Sequence, residues 1–205
     1  VEVREGIVYA LARIGAWEEV ERLAGDPAPS VRARARMALA AHRGERPQEP
    51  RRAVEHPSEH LGAPAARRLV LETERGAIVI ELEREWAPTH AAALSSLARA
   101  GFYDGLTFHR VVPNFVVQGG DPTGTGWGSA GFTLRDEVSP VAFDRGVVGI
   151  AKAGKDTGSC QMFFMLAPAP HLNGRYTVVG RIVEGLEVAD ALEVGDRILR
   201  AYAGE

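Results

Sequence analysis

Arg110 and Gln118 stand inside an otherwise apolar run, FHRVVPNFVVQGGDP, at residues 108–122. A strand that fills a core does not normally bury a guanidinium, because an unpaired buried charge is costly. Two readings follow. Either both side chains are satisfied within the fold, Arg110 by a carboxylate such as Asp121 or Glu137, or both look into a cavity and meet a ligand there. The residues themselves leave that choice open.

Other groups that could do chemistry are weaker candidates. Cys160 could act as a nucleophile beside a histidine, yet it opens the apolar stretch QMFFMLA and reads as a packed, inert thiol. Ser129 and Ser159 lack the glycine two residues earlier that a nucleophile elbow needs, so a serine or cysteine hydrolase has little support. GWGSAG at 126–131 satisfies G-x-G-x-x-G, but no helix pattern follows it, as dinucleotide binding requires. The six histidines show no ligand spacing and one cysteine cannot build a zinc site, so neither metal nor cofactor is expected.

The 205 residues are 45% hydrophobic and 25% charged, an ordinary globular composition with room for one well-cored domain and something extra. The net charge of −3 points to neither nucleic acid nor an anionic membrane as partner. No apolar run approaches the ~18 residues that span a bilayer. The first residue is Val1 rather than Met, so the chain reads as a fragment or processed product, with the cytoplasm the favoured compartment.

Which elements must position Arg110 and Gln118? From residue 69 the signals are mostly β. LVLETE and AIVIELE flank Arg75-Gly76 as a hairpin, and the carboxylates of ELERE read as a solvated strand face. Further strands are expected at 106–112, 115–119, 132–136, 146–152, 161–167, 177–183 and 197–202. APTHAAALSSLARAG is a helix with Pro88 in its first turn and Gly101 as its stop, and LEVADALE at 186–193 is a second. The fold class is therefore mainly β: about eight or more short strands with two helices suggest a closed antiparallel barrel capped by the helices.

The N-terminal part is helical. VREGIVYALA at 3–12 aligns with VRARARMALA at 31–40, an offset of 28, with five of ten residues identical. Val3, Ile7, Ala10, Leu11 and Ile14 form one apolar stripe; Val31, Ala35, Ala38 and Leu39 form another. Ser30 suits an N-cap, DPAPS a turn, and WEEVERLAG a short helix between the two. The cadence Asp26, Pro27, Val31, Arg32, Ala35, Ala38, Leu39 resembles short HEAT-like repeats, and about one and a half units are expected. The organisation is a HEAT-like fragment at 1–46, a Pro- and charge-rich linker at 47–68, and a β domain at 69–205. The helical segment is expected to offer a surface to a protein partner.

Taken together, FHRVVPNFVVQGGDPTGTG, GIAKAG, GSCQMFF and LNGRYTVVG resemble the cyclophilins, peptidyl-prolyl cis–trans isomerases, in order and spacing across nearly all of residues 69–205. The resemblance implies an eight-stranded barrel with a helix over each end and proline-containing polypeptides as substrates. It makes Arg110, Phe115 and Gln118 the catalytic residues, with Arg110 donating to the prolyl nitrogen. Val116, Ala151, Lys152, Phe163, His171, Leu172 and Tyr176 become the substrate-binding set, Lys152 through its backbone. Two residues depart from the commonest pattern: His171 stands where many members carry Trp, and Tyr176 where many carry His. Both lie at the pocket rim and bear on cyclosporin affinity more than on turnover. The alternative use of such a domain is an adaptor that grips proline segments and turns them over poorly.

Overall fold

The computed structural model describes residues 2–26, 29–44 and 65–204. Its centre is one eight-stranded antiparallel sheet: β1 (Arg68–Thr73), β2 (Gly76–Leu82), β3 (Phe108–Val112), β4 (Val116–Gly119), β5 (Val147–Ile150), β6 (Met162–Met165), β7 (Val178–Glu184) and β8 (Ile198–Gly204). The spatial order is β3-β4-β6-β5-β7-β2-β1-β8. The two outer strands approach each other where Thr107 bridges Arg197. There Phe108 N–H donates to Asp196 O at 2.9 Å, and Ile198 N–H to Leu106 O at 2.8 Å.

Alternation explains β1 and β2 and fails for β5 and β6. β1 and β2 bury every second residue, Leu69 and Leu71 against Ile78, Ile80 and Leu82. β5 and β6 are buried throughout because both of their faces are covered. Val148, Ile150, Met162 and Phe164 feed the main core, whereas Val147, Phe163 and Met165 feed a second cluster with Val116, Phe143 and Leu172. That second cluster is the floor on which the site is built.

Two helices flank the sheet: α4 (Pro88–Arg99) packs against β1, β7 and β8, and α5 (Leu186–Ala191) against β2. Glu137 holds the start of α4, accepting from the Thr89 and His90 amides at 2.9 Å each and lying 2.6 Å from His90 Nδ1.

The strand expected at 132–136 does not form. Leu134 makes only an isolated bridge to Gly158. The amides that follow go to side chains instead of a ladder, Asp136 N–H to Asp156 Oδ1 and Glu137 N–H to Thr177 Oγ1.

The N-terminal region holds α1 (Glu2–Ile14), α2 (Trp17–Leu23) and α3 (Pro29–His42). Asp26 ties them, accepting from Arg4 through both carboxylate oxygens while its carbonyl accepts from Arg32. The second expected stripe is inward, with Val31, Ala35 and Leu39 buried. The first is not: Val8 is buried and Leu11 half-buried, while Ile7, Ala10 and Ile14 are exposed. Among the described residues α1 packs against α2 and α3, and Val8 lies on that side. α3 begins at Pro29, which puts Ser30 inside the first turn rather than at the cap; proline fits there because it has no N–H to leave unsatisfied. Most of the expected linker, and Pro27 and Ala28 of the expected turn, lie outside the described residues.

Candidate active site

Strand register sets the site. Arg110 pairs with Gln118, Gln118 with Phe163, and Phe163 with Gly149. The four residues form one row across β3, β4, β6 and β5, on the face away from the main core. The β3–β4 turn at Pro113-Asn114 makes the first step of that row, with Asn114 at a φ of 58°, a left-handed conformation that asparagine tolerates. Gly149 is the row's missing side chain: a Cβ there would lie 2.3 Å from Phe163 Cζ and 2.7 Å from Phe143 Cε1. Its absence lets the two rings stack, with centroids 5.7 Å apart.

Above this floor is a cavity of about 200 Å³ lined by Arg110, Phe115, Val116, Gln118, Ala151, Lys152, Phe163, Leu172 and Tyr176. Nine of the ten residues singled out from the sequence therefore meet at one place. His171 is the tenth; it is exposed, does not line the cavity, and stacks on Phe115 at 5.8 Å. Tyr176 stands edge-on to Phe163, and the Lys152 ammonium lies 5.2 Å from the Tyr176 ring centre while pairing with Asp136. The Lys152 backbone N–H and C=O make no hydrogen bond among the described residues.

Arg110 is not buried, so the cost of an unpaired guanidinium in a core does not arise. β3 is an edge strand of which only Phe108 is fully buried. The guanidinium lies 5.7 Å from the Phe115 ring centre, at the cavity wall. It makes no ion pair among the described residues. Neither carboxylate considered for that role is available: Asp121 accepts from Thr123 and Gly126, and Glu137 is taken by the α4 terminus.

Gln161, which sequence reasoning passed over, completes the polar side. Gln118 Nε2 donates to Gln161 Oε1 at 2.9 Å, and Gln161 Nε2 donates to the carbonyls of Gly126 at 3.1 Å and Gly128 at 2.7 Å. Gln118 is thereby held with its own Oε1 free to accept. The available signal was a glutamine at the mouth of QMFFM, the same anomaly as Gln118 in its run. A second cavity of about 340 Å³ adjoins the first and shares Gln118, Ala151 and Lys152 with it. A larger trough of about 500 Å³, over Leu82, Val147 and Gly180, contains none of the expected site residues and lies elsewhere.

Acid–base and nucleophilic chemistry have no obvious agent here. Burial pushes the Cys160 thiol up to about 12, and the side chain is fully enclosed. Burial also lowers the pKa of His109, behind the cavity wall. No group of three or more metal-ligating side chains occurs among the described residues.

Comparison with known proteins decides the family. Residues 68–201 match the family model of the cyclophilin type peptidyl-prolyl cis-trans isomerase/CLD. The chain belongs to the cyclophilin-type peptidyl-prolyl cis–trans isomerases. It is 50% identical over 121 residues to peptidyl-prolyl cis-trans isomerase B of Bacillus subtilis, covering 58% of this chain and 85% of that one. It is 44% identical over 132 residues to a Helicobacter pylori peptidyl-prolyl cis-trans isomerase, covering 62% and 81%. The structure superposes on a cyclophilin type isomerase of Cryptosporidium parvum, determined in the presence of the dipeptide Ala-Pro, with a TM-score of 0.63. That match has 27% identity over 67% of this chain and 99% of the other. This cyclophilin accordingly catalyses cis–trans rotation about peptidyl-prolyl bonds.

Proposed function

We propose that the cyclophilin site at 110–176 acts on proline-containing polypeptides through Arg110, by electrostatic stabilisation of a twisted amide. The barrier to rotation, roughly 18–20 kcal/mol, comes from partial double-bond character in the C–N bond. Left alone, X–Pro bonds exchange in tens to hundreds of seconds. Millisecond turnover therefore needs about 7 kcal/mol of preferential stabilisation. No bond breaks, so the requirement is to hold the proline and favour the twisted state over the planar one.

In the twisted state resonance is lost and the prolyl nitrogen regains a lone pair. The Arg110 guanidinium, permanently charged, donates toward that nitrogen and stabilises this state more than the ground state. Phe115, Val116, Phe163 and Leu172 form the dry proline pocket, Ala151 lines the adjoining groove, and His171 and Tyr176 border the rim. Gln118 orients Arg110 and the substrate backbone. The Lys152 backbone anchors the chain on one side while the other rotates. The observation that carries the reading is Arg110 beside Phe115, Val116, Phe163 and Leu172 in one cavity, without a carboxylate partner among the described residues and one strand from Gln118. The Ala-Pro dipeptide present with the Cryptosporidium relative supports a proline ligand. Exchange spectroscopy on an Ala-Pro peptide tests it: wild type merges the cis and trans resonances, and folded Arg110→Ala leaves them separate. Undiminished exchange with Arg110→Ala would end the proposal.

Three wider features belong to the same reading. The bonds between residues 105–108 and 195–198 support a closed barrel. The division into a HEAT-like fragment at 1–46, a linker at 47–68 and an isomerase domain at 69–205 is supported by the separate apolar cluster around Val8, Val20, Val31, Ala35 and Leu39. The uncovered Ile7, Ala10 and Ile14 face of α1 supports contact with a protein partner.

A further inference from the structure

Trp127 is 83% exposed, an unusual place for a large aromatic ring. It is not on a loose loop. Asp121, itself buried, accepts from Thr123 N–H at 2.7 Å, from Thr123 Oγ1 at 2.8 Å and from Gly126 N–H. Gln161 holds the carbonyls on both sides of Trp127, and Trp127 N–H donates to Thr125 Oγ1 at 3.2 Å. The backbone is fixed and the indole is presented, so little ordering entropy remains to oppose a contact.

Trp127 lines the second cavity, which shares Gln118, Ala151 and Lys152 with the proline cavity. An extended chain advances ~3.3–3.6 Å per residue. A residue within a few positions of a proline held by Phe115 and Phe163 therefore reaches this second cavity. Its other walls include Ser129, Thr133, Thr157 and Ser159, with Ala151 and Ala153, all small. Trp127 alone among the cavity's lining residues offers a large apolar face.

We infer that Trp127 is a specificity-determining residue that stacks on an aromatic side chain of the client flanking the isomerising proline. This rests on the reading that the Arg110 cavity holds the proline. The same Gln161 joins the Trp127 loop to Gln118, so recognition of the flank and support of the catalytic row share one side chain.

The test uses the full chain and proline peptides carrying Phe, Ala or Glu at each of three positions on either side of the proline, with kcat/KM read by NMR exchange. At one position wild type should prefer Phe over Ala by about two- to tenfold, the range of an aromatic pair. That ratio should fall to near one in Trp127→Gly and be intermediate in Trp127→Phe. In a Trp17→Phe/Trp86→Phe background, the emission of Trp127 should shift with the Phe peptide and less with the Ala peptide.

No Phe preference anywhere, a preference that survives Trp127→Gly, or an equal loss on every peptide would overturn the inference. Should Trp127→Gly not fold, Trp127→Phe and the fluorescence titration decide; unchanged emission with the Phe peptide overturns it. Arg110→Ala run alongside separates the two ideas. Retained turnover there defeats the site reading, whereas lost turnover with an unaltered Trp127 ratio defeats only this inference.

Discussion

Phe163 occupies the space that a side chain on Gly149 would need. The two are direct partners in the β5–β6 pair, and a Cβ on Gly149 would lie 2.3 Å from the Phe163 ring. The cavity floor is therefore set by a residue with no side chain. Gly149→Ala should drive the ring toward the proline cavity, costing about 1–3 kcal/mol of stability as an overpacked core does. Peptide affinity should fall more than kcat. Urea unfolding and an NMR peptide titration check both; unchanged affinity would mean the ring has another way to move.

Gln161 links Gln118 to the loop that carries Gly126 and Gly128. Gln161→Leu keeps the volume and removes all three bonds. Turnover should drop about tenfold, the worth of one or two positioning hydrogen bonds, in a protein that still folds. Full activity in Gln161→Leu would show that Gln118 needs no such support.

Proton-linked stability centres on Glu137. Burial alone would raise its carboxyl, but the His90 ring and the His90 and Thr89 amides outweigh that and hold it at about 2, below its ordinary 4.5. A depressed carboxyl contributes stability that is complete above the unfolded value and is lost as pH falls from 4.5 through about 2. The full shift corresponds to about 3 kcal/mol, and solvent screening of this partly exposed carboxylate leaves roughly 2–3 kcal/mol at neutral pH. Glu137→Gln should lose about that much at pH 7 and show a flatter stability profile in the acid window. Denaturant melts from neutral pH downward test this, and parallel profiles for the two proteins would contradict it.

Turnover itself should not titrate near neutrality. The nearby His109 is pushed below 6.5 by burial and the Arg110 charge, against the pull of Asp121. kcat/KM is expected to stay within about twofold between pH 6.5 and roughly 8, and a bell-shaped profile there would indicate acid–base catalysis instead.

The sequence made the strands legible where burial alternates or where an apolar run is bounded by turns; Arg110 and Gln118, which violate the pattern of their run, raised the question of a cavity, and the family resemblance rather than the residues alone pointed to one. What it hid was hidden for physical reasons. Leu134 sits in an apolar stretch with strand-like residues, but its neighbours' amides are satisfied by Asp156 and Thr177, which only tertiary contact brings near. Gly149 looks like a weak strand residue until Phe163 and Phe143 are seen in the space it leaves. The α1 stripe of Ile7, Ala10 and Ile14 has helical spacing, which fixes that the residues share a face but not whether anything covers it. His171 and Phe115 are far apart in sequence, so their stacking was out of reach.

The most direct measurement compares Arg110→Ala with wild type in both peptide affinity and turnover, with folding confirmed for each. The expected result is a fall in kcat of about a hundredfold, the cost of removing one preorganised donor from a developing charge, while the Kd for a proline peptide changes only a few-fold. A kcat within about twofold of wild type, or a loss confined to Kd, would contradict the assignment of rotation to the guanidinium.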